Sequence, residues 1–298
     1  MLYYYNYLLL YMLTKSILKN ISTTDITFKD YDCKCDCKEI DLIIGGGGFN
    51  GFYVFGFNKI LKKLEREEKL KIQRYAGTSV GAICAILIVC QVTDEQILSL
   101  YENIKNKREF LMYIRDELKR ILPSNAYLLC TNKVYISVTS FPYLQNHILS
   151  EYESNDELID ACIASSCMPF LVTNRLYHTF RKRYYLDGFL SRNLIFFNDN
   201  KREQLVIQPH KVEYNLFNRF VAKNSAVTGL IVKGAVDAES FFSKEQNLEL
   251  PYLMWFTSQS KQKNNNNFYI YLLTLSSGFL VLCSITLVTK SYTKVKVL

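Results

Sequence analysis

Two glycine clusters about 30 residues apart constrain this chain more than any other feature. The run Ile40-Asp41-Leu42-Ile43-Ile44 reads as a buried strand, four glycines (Gly45 to Gly48) follow at once, and Phe49-Asn50-Gly51 leads into a helical pattern. The second cluster, Gly77-Thr78-Ser79-Val80-Gly81, also lies between an apolar run and a helix. A serine on so sharp a strand-to-helix turn is held in a strained conformation. Residues lacking a Cβ fit beside it, and its hydroxyl stands clear of the chain. Gly77 and Gly81 are therefore the expected flanks of a nucleophile elbow around Ser79.

The first cluster has two uses. Gly46-x-Gly48-x-x-Gly51 after a strand matches the dinucleotide fingerprint, which needs an acidic residue about 20 positions on to hold a ribose. That region reads Lys71-Ile72-Gln73-Arg74 and has no acid, and the lysine of a phosphate-binding loop is absent too. The other use is an oxyanion hole, in which backbone N–H groups at a helix N-terminus receive the charge developing on an ester carbonyl oxygen. The serine downstream supplies the matching nucleophile, so each motif explains the other.

Ser79 needs a base. The three histidines are His147, His178 and His210, and the order Ser79, Asp187, His210 matches the α/β-hydrolase triad. A direct Ser79–Asp187 dyad is the other arrangement, with Asp187-Gly188 at a strand end turning the carboxylate into a cleft.

Taken in order, Gly46-Gly47-Gly48-Phe49-Asn50-Gly51, Gly77-Thr78-Ser79-Val80-Gly81, Ala164-Ser165-x-x-x-Pro169 and Asp187-Gly188 resemble the patatin-like phospholipase (PNPLA-type) domain over about residues 40 to 200. The resemblance implies an α/β three-layer fold, with a central, largely parallel sheet between helices. It implies Ser79 as the acylated nucleophile and Asp187 as the base, without histidine. The backbone N–H groups of the Gly46, Gly47, Gly48 and Gly51 loop would form the oxyanion hole. Substrates would be phospholipid or neutral glycerolipid esters, with no metal or other cofactor. The sequence departs from the family at Asn50, where Lys or Arg is common, and at Phe189, where Gly or Ala usually follows the Asp-Gly motif. A bulky Phe189 is expected to narrow the cleft or shift the aspartate. A catalytically inactive, membrane-tethered module that binds lipid or protein is the alternative reading.

The rest of the chain frames this domain. Helical spacing covers Phe52 to Leu64, Ala82 to Cys90, Asp94 to Ile104, Arg108 to Leu122 (closed by Pro123), Asp156 to Ser166 and Phe217 to Phe242. Strands are expected at Ile72 to Tyr75, Lys133 to Ser140, Arg183 to Leu186 and Leu205 to Ile207, an alternation that argues an α/β layered domain. The net charge of +8 comes from scattered lysines, which argues against nucleic acid as a partner and is compatible with an anionic membrane surface. Of nine cysteines, Cys84, Cys90, Cys130, Cys162 and Cys167 lie in apolar runs and read as core, whereas Cys33, Cys35 and Cys37 lie in a polar linker and lack a metal-ligand partner set.

Residues 1–39 read as an apolar, tyrosine-rich segment plus linker, 40–202 as the patatin-like domain, and 203–267 as a helical extension and linker. Residues 268–288 hold no charge and have the length of a membrane-spanning helix, followed by a short basic tail at 289–298. The expected protein is a single-pass membrane protein with a cytosolic catalytic domain, acting on the lipids of that membrane.

Overall fold

The computed structural model describes residues 38–105, 107, 109–169, 171–191, 194–199, 201–212, 224–242 and 250–256. The N-terminal apolar segment, the Cys33, Cys35 and Cys37 cluster, and the 268–288 run lie outside the described residues. Among the described residues no helix is long and apolar enough to cross a membrane.

Eight strands form one sheet: β1 (Lys38–Ile44), β2 (Leu70–Thr78), β3 (Val134–Ser140), β4 (Asn146–Leu149), β5 (His178–Phe180), β6 (Arg183–Asp187), β7 (Glu203–Ile207) and β8 (Leu253–Phe256). The order is β5-β6-β3-β2-β1-β7-β8, with β4 also paired to β3. The four central strands, β3, β2, β1 and β7, are mutually parallel, and the outer pairings are antiparallel. Helices flank this centre: α1 (Phe52–Arg66), α2 (Val80–Val89), α3 (Asp94–Ile104), α4 (Phe110–Ile121), α5 (Ala126–Cys130), α6 (Asn155–Ser165) and α7 (Asn224–Phe242).

Side-chain alternation along the strands sorts the core. Ile40, Leu42 and Ile44 of β1 join the large apolar cluster to which all seven helices contribute. Ile43, Ala76 and Val206 point to the other face, where Leu194, Ile195 and Phe197 cover them. A bulge pairs Ile40 with Ile72 but Asp41 with Arg74, so the fully buried Asp41 meets a guanidinium at 2.5 and 3.0 Å. Helix α2 is apolar all round because it is enclosed. Its residues Gly81 to Ile88 are all buried behind the sheet end. Helix α3 begins at a capping box, with Thr93 and Gln96 each satisfying the other's backbone N–H.

Several elements escaped the sequence patterns. Strands β4 and β5 and helix α5 have four, three and five residues, too few to set up a period. The sheet continues past residue 202: β7 pairs with β1 over Ile40 to Ile44, and β8 lies beyond it. The last helical pattern is a helix over Asn224–Phe242; residues 217–223 lie outside the described residues. Cys84, Cys130, Cys162 and Cys167 are buried as expected, but Cys90 is only half-buried at the end of α2, with its sulfur 3.9 Å from that of Cys130.

Candidate active site

Parallel strands of an α/β sheet deliver loops and helix N-termini at their carboxyl ends, where ligands of such folds collect. Here β1 ends in the glycine loop and β2 in Ser79. Ser79 adopts φ 56°, ψ −128°, a left-handed backbone that a serine rarely takes, immediately before α2. The elbow is wedged tightly. A Cβ on Gly81 would lie 2.3 Å from the Ile44 carbonyl oxygen, and one on Gly77 would lie 2.5 Å from Ala82 Cα. These contacts bring the ends of β1 and β2 together, which seats the two sequence clusters side by side.

The glycine loop is pinned from beneath by the segment after β7. Gly45 N–H donates to Ile207 O at 2.9 Å, and His210 N–H donates to Gly46 O at 3.2 Å. Gly48 has φ 58° and opens a single 3-10 turn, Gly48–Gly51, that runs into α1. A Cβ on Gly51 would meet Val80, the residue after the serine, at 2.4 Å. The N–H groups of Gly47 and Gly48 donate to no acceptor among the described residues. The loop thus presents donors at a helix N-terminus beside a serine.

Asp187 ends β6 and is 2% exposed. Its Oδ2 accepts the Ser79 hydroxyl at 2.7 Å, and its Oδ1 accepts the Phe189 N–H at 2.9 Å. Burial pushes its carboxyl up from 3.8 to about 7, against the opposing pull of the Phe189 and Ser79 hydrogen bonds. Its backbone is fixed on both sides: Asp187 N–H donates to Cys167 O at 2.9 Å, and Thr139 Oγ1 donates to Asp187 O at 2.7 Å. Gly188 follows with no room for a side chain, since a Cβ there would lie 2.2 Å from Ser137 O.

Ser165, at the end of α6, joins the two halves. Its hydroxyl accepts the Ser79 N–H at 2.8 Å and donates to Ser137 O on β3 at 2.6 Å. Ser137, Thr139, Asn146 and Ser191 extend the network around Asp187: Asn146 Nδ2 donates to Ser137 Oγ at 2.7 Å and to Ser191 Oγ at 3.2 Å, and Ser191 Oγ lies 2.7 Å from Thr139 Oγ1. No sequence pattern gives Ser137, Thr139, Asn146 or Ser191 a role, and Ala164-Ser165-x-x-x-Pro169 marks Ser165 without indicating which group its hydroxyl meets.

Ser79 reaches Asp187 directly, and no imidazole lies between them. His210 is buried, with its ring edge-on to Phe189 at 5.8 Å, and neither Asp187 oxygen bonds to it. Phe189 does not displace the aspartate; its N–H holds Asp187 Oδ1, and its half-buried ring rests on His210. Asn50 is 1% exposed and donates from Nδ2 to Pro209 O at 3.1 Å, so it braces the glycine loop against the segment after β7.

The family model described as patatin-like phospholipase matches residues 42–197, just over half of the chain. Among curated proteins, human omega-hydroxyceramide transacylase is 32% identical over 155 residues, covering 48% of this chain and 29% of that protein. The mouse 1-acylglycerol-3-phosphate O-acyltransferase Pnpla3 is 30% identical over 165 residues, 51% of this chain and 40% of that protein. Human patatin-like phospholipase domain-containing protein 4 is 24% identical over 170 residues, 53% of this chain and 67% of that protein. The chain therefore spans less than half the length of the first two.

Proposed function

The chain belongs to the patatin-like phospholipase family, and on that premise we propose that it is a lipid acyl hydrolase working through a Ser79–Asp187 dyad. The observation that carries this reading is the 2.7 Å hydrogen bond from a serine on a strained elbow to a buried, desolvated aspartate. Asp187 takes the Ser79 proton as Oγ attacks the ester carbonyl carbon. The tetrahedral oxyanion forms beside the Gly47 and Gly48 N–H groups, which are in place before the charge develops. The C–O bond to the leaving alcohol then breaks, and that oxygen takes the proton from Asp187. Water, deprotonated by Asp187, resolves the acyl-serine and restores the enzyme. A carboxyl near pH 7 is suited to take a proton in one half-reaction and return it in the other. The 268–288 run would hold the domain at the membrane that contains its substrate, with the domain on the cytosolic side.

A second acceptor is favoured by one observation: two of the relatives bear names of acyl-transferring enzymes. The same acyl-serine is then resolved by a lipid hydroxyl instead of water. The test uses vesicles carrying acyl-labelled phospholipid and triacylglycerol, with wild type beside Ser79→Ala. Labelled free fatty acid from wild type alone supports the hydrolase. Label transferred to a lipid alcohol supports the transferase. No product of either kind from folded, vesicle-bound protein overturns the enzymatic reading and leaves a lipid- or protein-binding module.

A further inference from the structure

At the tip of the β3–β4 hairpin two large side chains stand in solvent, Tyr143 78% exposed and Leu144 57% exposed. The turn that carries them is closed by its own hydrogen bonds. Ser140 N–H donates to Gln145 O, and Leu144 N–H to Ser140 O, both at 2.8 Å, and Gln145 N–H donates to Ser140 Oγ at 3.2 Å. The β5–β6 hairpin extends this surface. Phe141 stacks on Tyr177 at 5.6 Å, Tyr177 meets the half-exposed Tyr184 at 4.3 Å, and Phe141 N–H donates to Tyr184 O at 2.9 Å. Phe141 and Tyr177 are partly buried, so the exposed part of this surface is Tyr143, Leu144 and Tyr184, and a contiguous exposed apolar patch marks an interaction site where single exposed residues do not.

Short of Asp187, the two hairpins themselves carry only basic charge, and the acids that meet them and the segment before β5, Glu157 at Arg181, Asp160 at His178 and Glu109 at Asn174, come from α6 and the residue before α4. Residues 132–150 and 161–186 contain no Asp or Glu. Arg181 is matched by Glu157 at 2.6 Å, but Arg175, Lys182 and Arg183 are exposed and enter no ion pair among the described residues. The place is equally specific. Val138 pairs with Asp187 across β3 and β6, and Phe141 and Tyr184 each lie three residues further along those strands. At about 3.3 Å per residue, the backbone at Phe141 and Tyr184 lies about 10 Å along the sheet from that of Val138 and Asp187.

We propose that this surface docks the domain onto a bilayer bearing anionic phospholipid. Tyrosine rings settle at the headgroup boundary, with one end apolar and one end wet, and Lys and Arg beside them are drawn to the negative surface potential. Docking here brings the carboxyl ends of β2 and β3, beside which Ser79 meets Asp187, toward the interface that holds the acyl ester. The proposal rests on the lipid-ester reading for its purpose, and its test keeps the two apart.

The test places a tryptophan at the tip with Tyr143→Trp in the full-length Ser79→Ala protein, and titrates vesicles containing bromine-labelled phospholipid. The vesicles are phosphatidylcholine with or without phosphatidylserine. Emission quenching reports the depth of that one position, whatever else holds the protein to the vesicle, and the parent protein supplies the Trp255 background. Quenching that strengthens with phosphatidylserine, and that needs about tenfold more lipid after Lys182→Glu with Arg183→Glu, is the expected result. In protein retaining Ser79, Tyr143→Ser with Leu144→Ser should lose release from vesicles while the loss spares a soluble short-chain ester. An unquenched tip on vesicle-bound protein overturns the proposal and leaves a protein as the occupant of the surface. An equal loss on the soluble ester overturns it as well, because the residues would then act only by holding the fold. Quenching in a protein that never hydrolyses lipid would sink the enzymatic reading and keep this one.

Discussion

The Ser79 N–H donates to Ser165 Oγ at 2.8 Å, across 86 residues of sequence. Ser79 occupies a backbone region that a serine does not choose, so something must hold it there. Ser165 does so from α6, while its own proton goes to Ser137 O. Ser165→Ala removes the acceptor of the Ser79 N–H and the hydroxyl that donates to Ser137 O. Stability should fall by about 1–3 kcal/mol in urea denaturation. The kcat should drop by about tenfold to a hundredfold with KM little changed, because the nucleophile is misplaced without loss of substrate contacts. A variant with unchanged kcat would show that the elbow holds itself.

The Asp187 carboxyl gives a pH signature. Burial raises it from 3.8 to about 7, so the folded protein holds a proton that the unfolded chain has released between those values. The native state binds more protons in that window, and stability must fall as pH rises from about 4 through about 7. Asp187→Asn removes the slope and should be more stable than wild type at pH 8, by on the order of 2–4 kcal/mol. The kcat/KM of wild type should rise through pH 7 to a plateau, since only the ionised carboxylate accepts the Ser79 proton. Denaturation and initial rates across that range check both halves.

On the proposed dyad, His210 packs against Phe189 and takes no part in proton transfer. His210→Ala loses an edge-to-face contact with Phe189 worth about 0.5–1.5 kcal/mol and should keep turnover within about threefold of wild type. A triad member removed in this way would cost on the order of 10⁴ in kcat. Side-by-side rates on one ester substrate separate the two outcomes.

Two glycines should respond to alanine with opposite sign. A Cβ on Gly81 would sit 2.3 Å from the Ile44 carbonyl oxygen, so Gly81→Ala forces the β1 and β2 ends apart and should cost about 1–3 kcal/mol or more, along with activity. Gly229, on the exposed side of α7, has nothing within 4 Å of its added Cβ. Gly229→Ala should stabilise by about 0.5–1 kcal/mol with rates unchanged. Paired thermal melts read both.

Legibility followed the range of the forces involved. The strand–glycine–helix transitions at Ile44 and Ser79 were readable because turn sterics act within a few residues. So was α3, whose observed span Asp94–Ile104 matches the periodic run end to end. Strands β4 and β5 were not readable, because pairs such as Val138 with His147 or His178 with Tyr185 stabilise segments too short to show a pattern. Ser79 and Asp187 could be named from their motifs. Their meeting at 2.7 Å, the height of the Asp187 carboxyl and the hold of Ser165 on the elbow arise from packing among β2, β6 and α6, which no local pattern encodes.

The central claim is that Ser79 is a nucleophile activated by Asp187. Its most direct test is reaction with a fluorophosphonate, followed by mass mapping of the modified peptide in wild type, Asp187→Asn and His210→Ala. The account predicts a single adduct on Ser79 in wild type and His210→Ala, formed at least about a hundredfold more slowly in Asp187→Asn. An unlabelled Ser79 in folded wild type, or labelling that Asp187→Asn leaves unchanged, would contradict it.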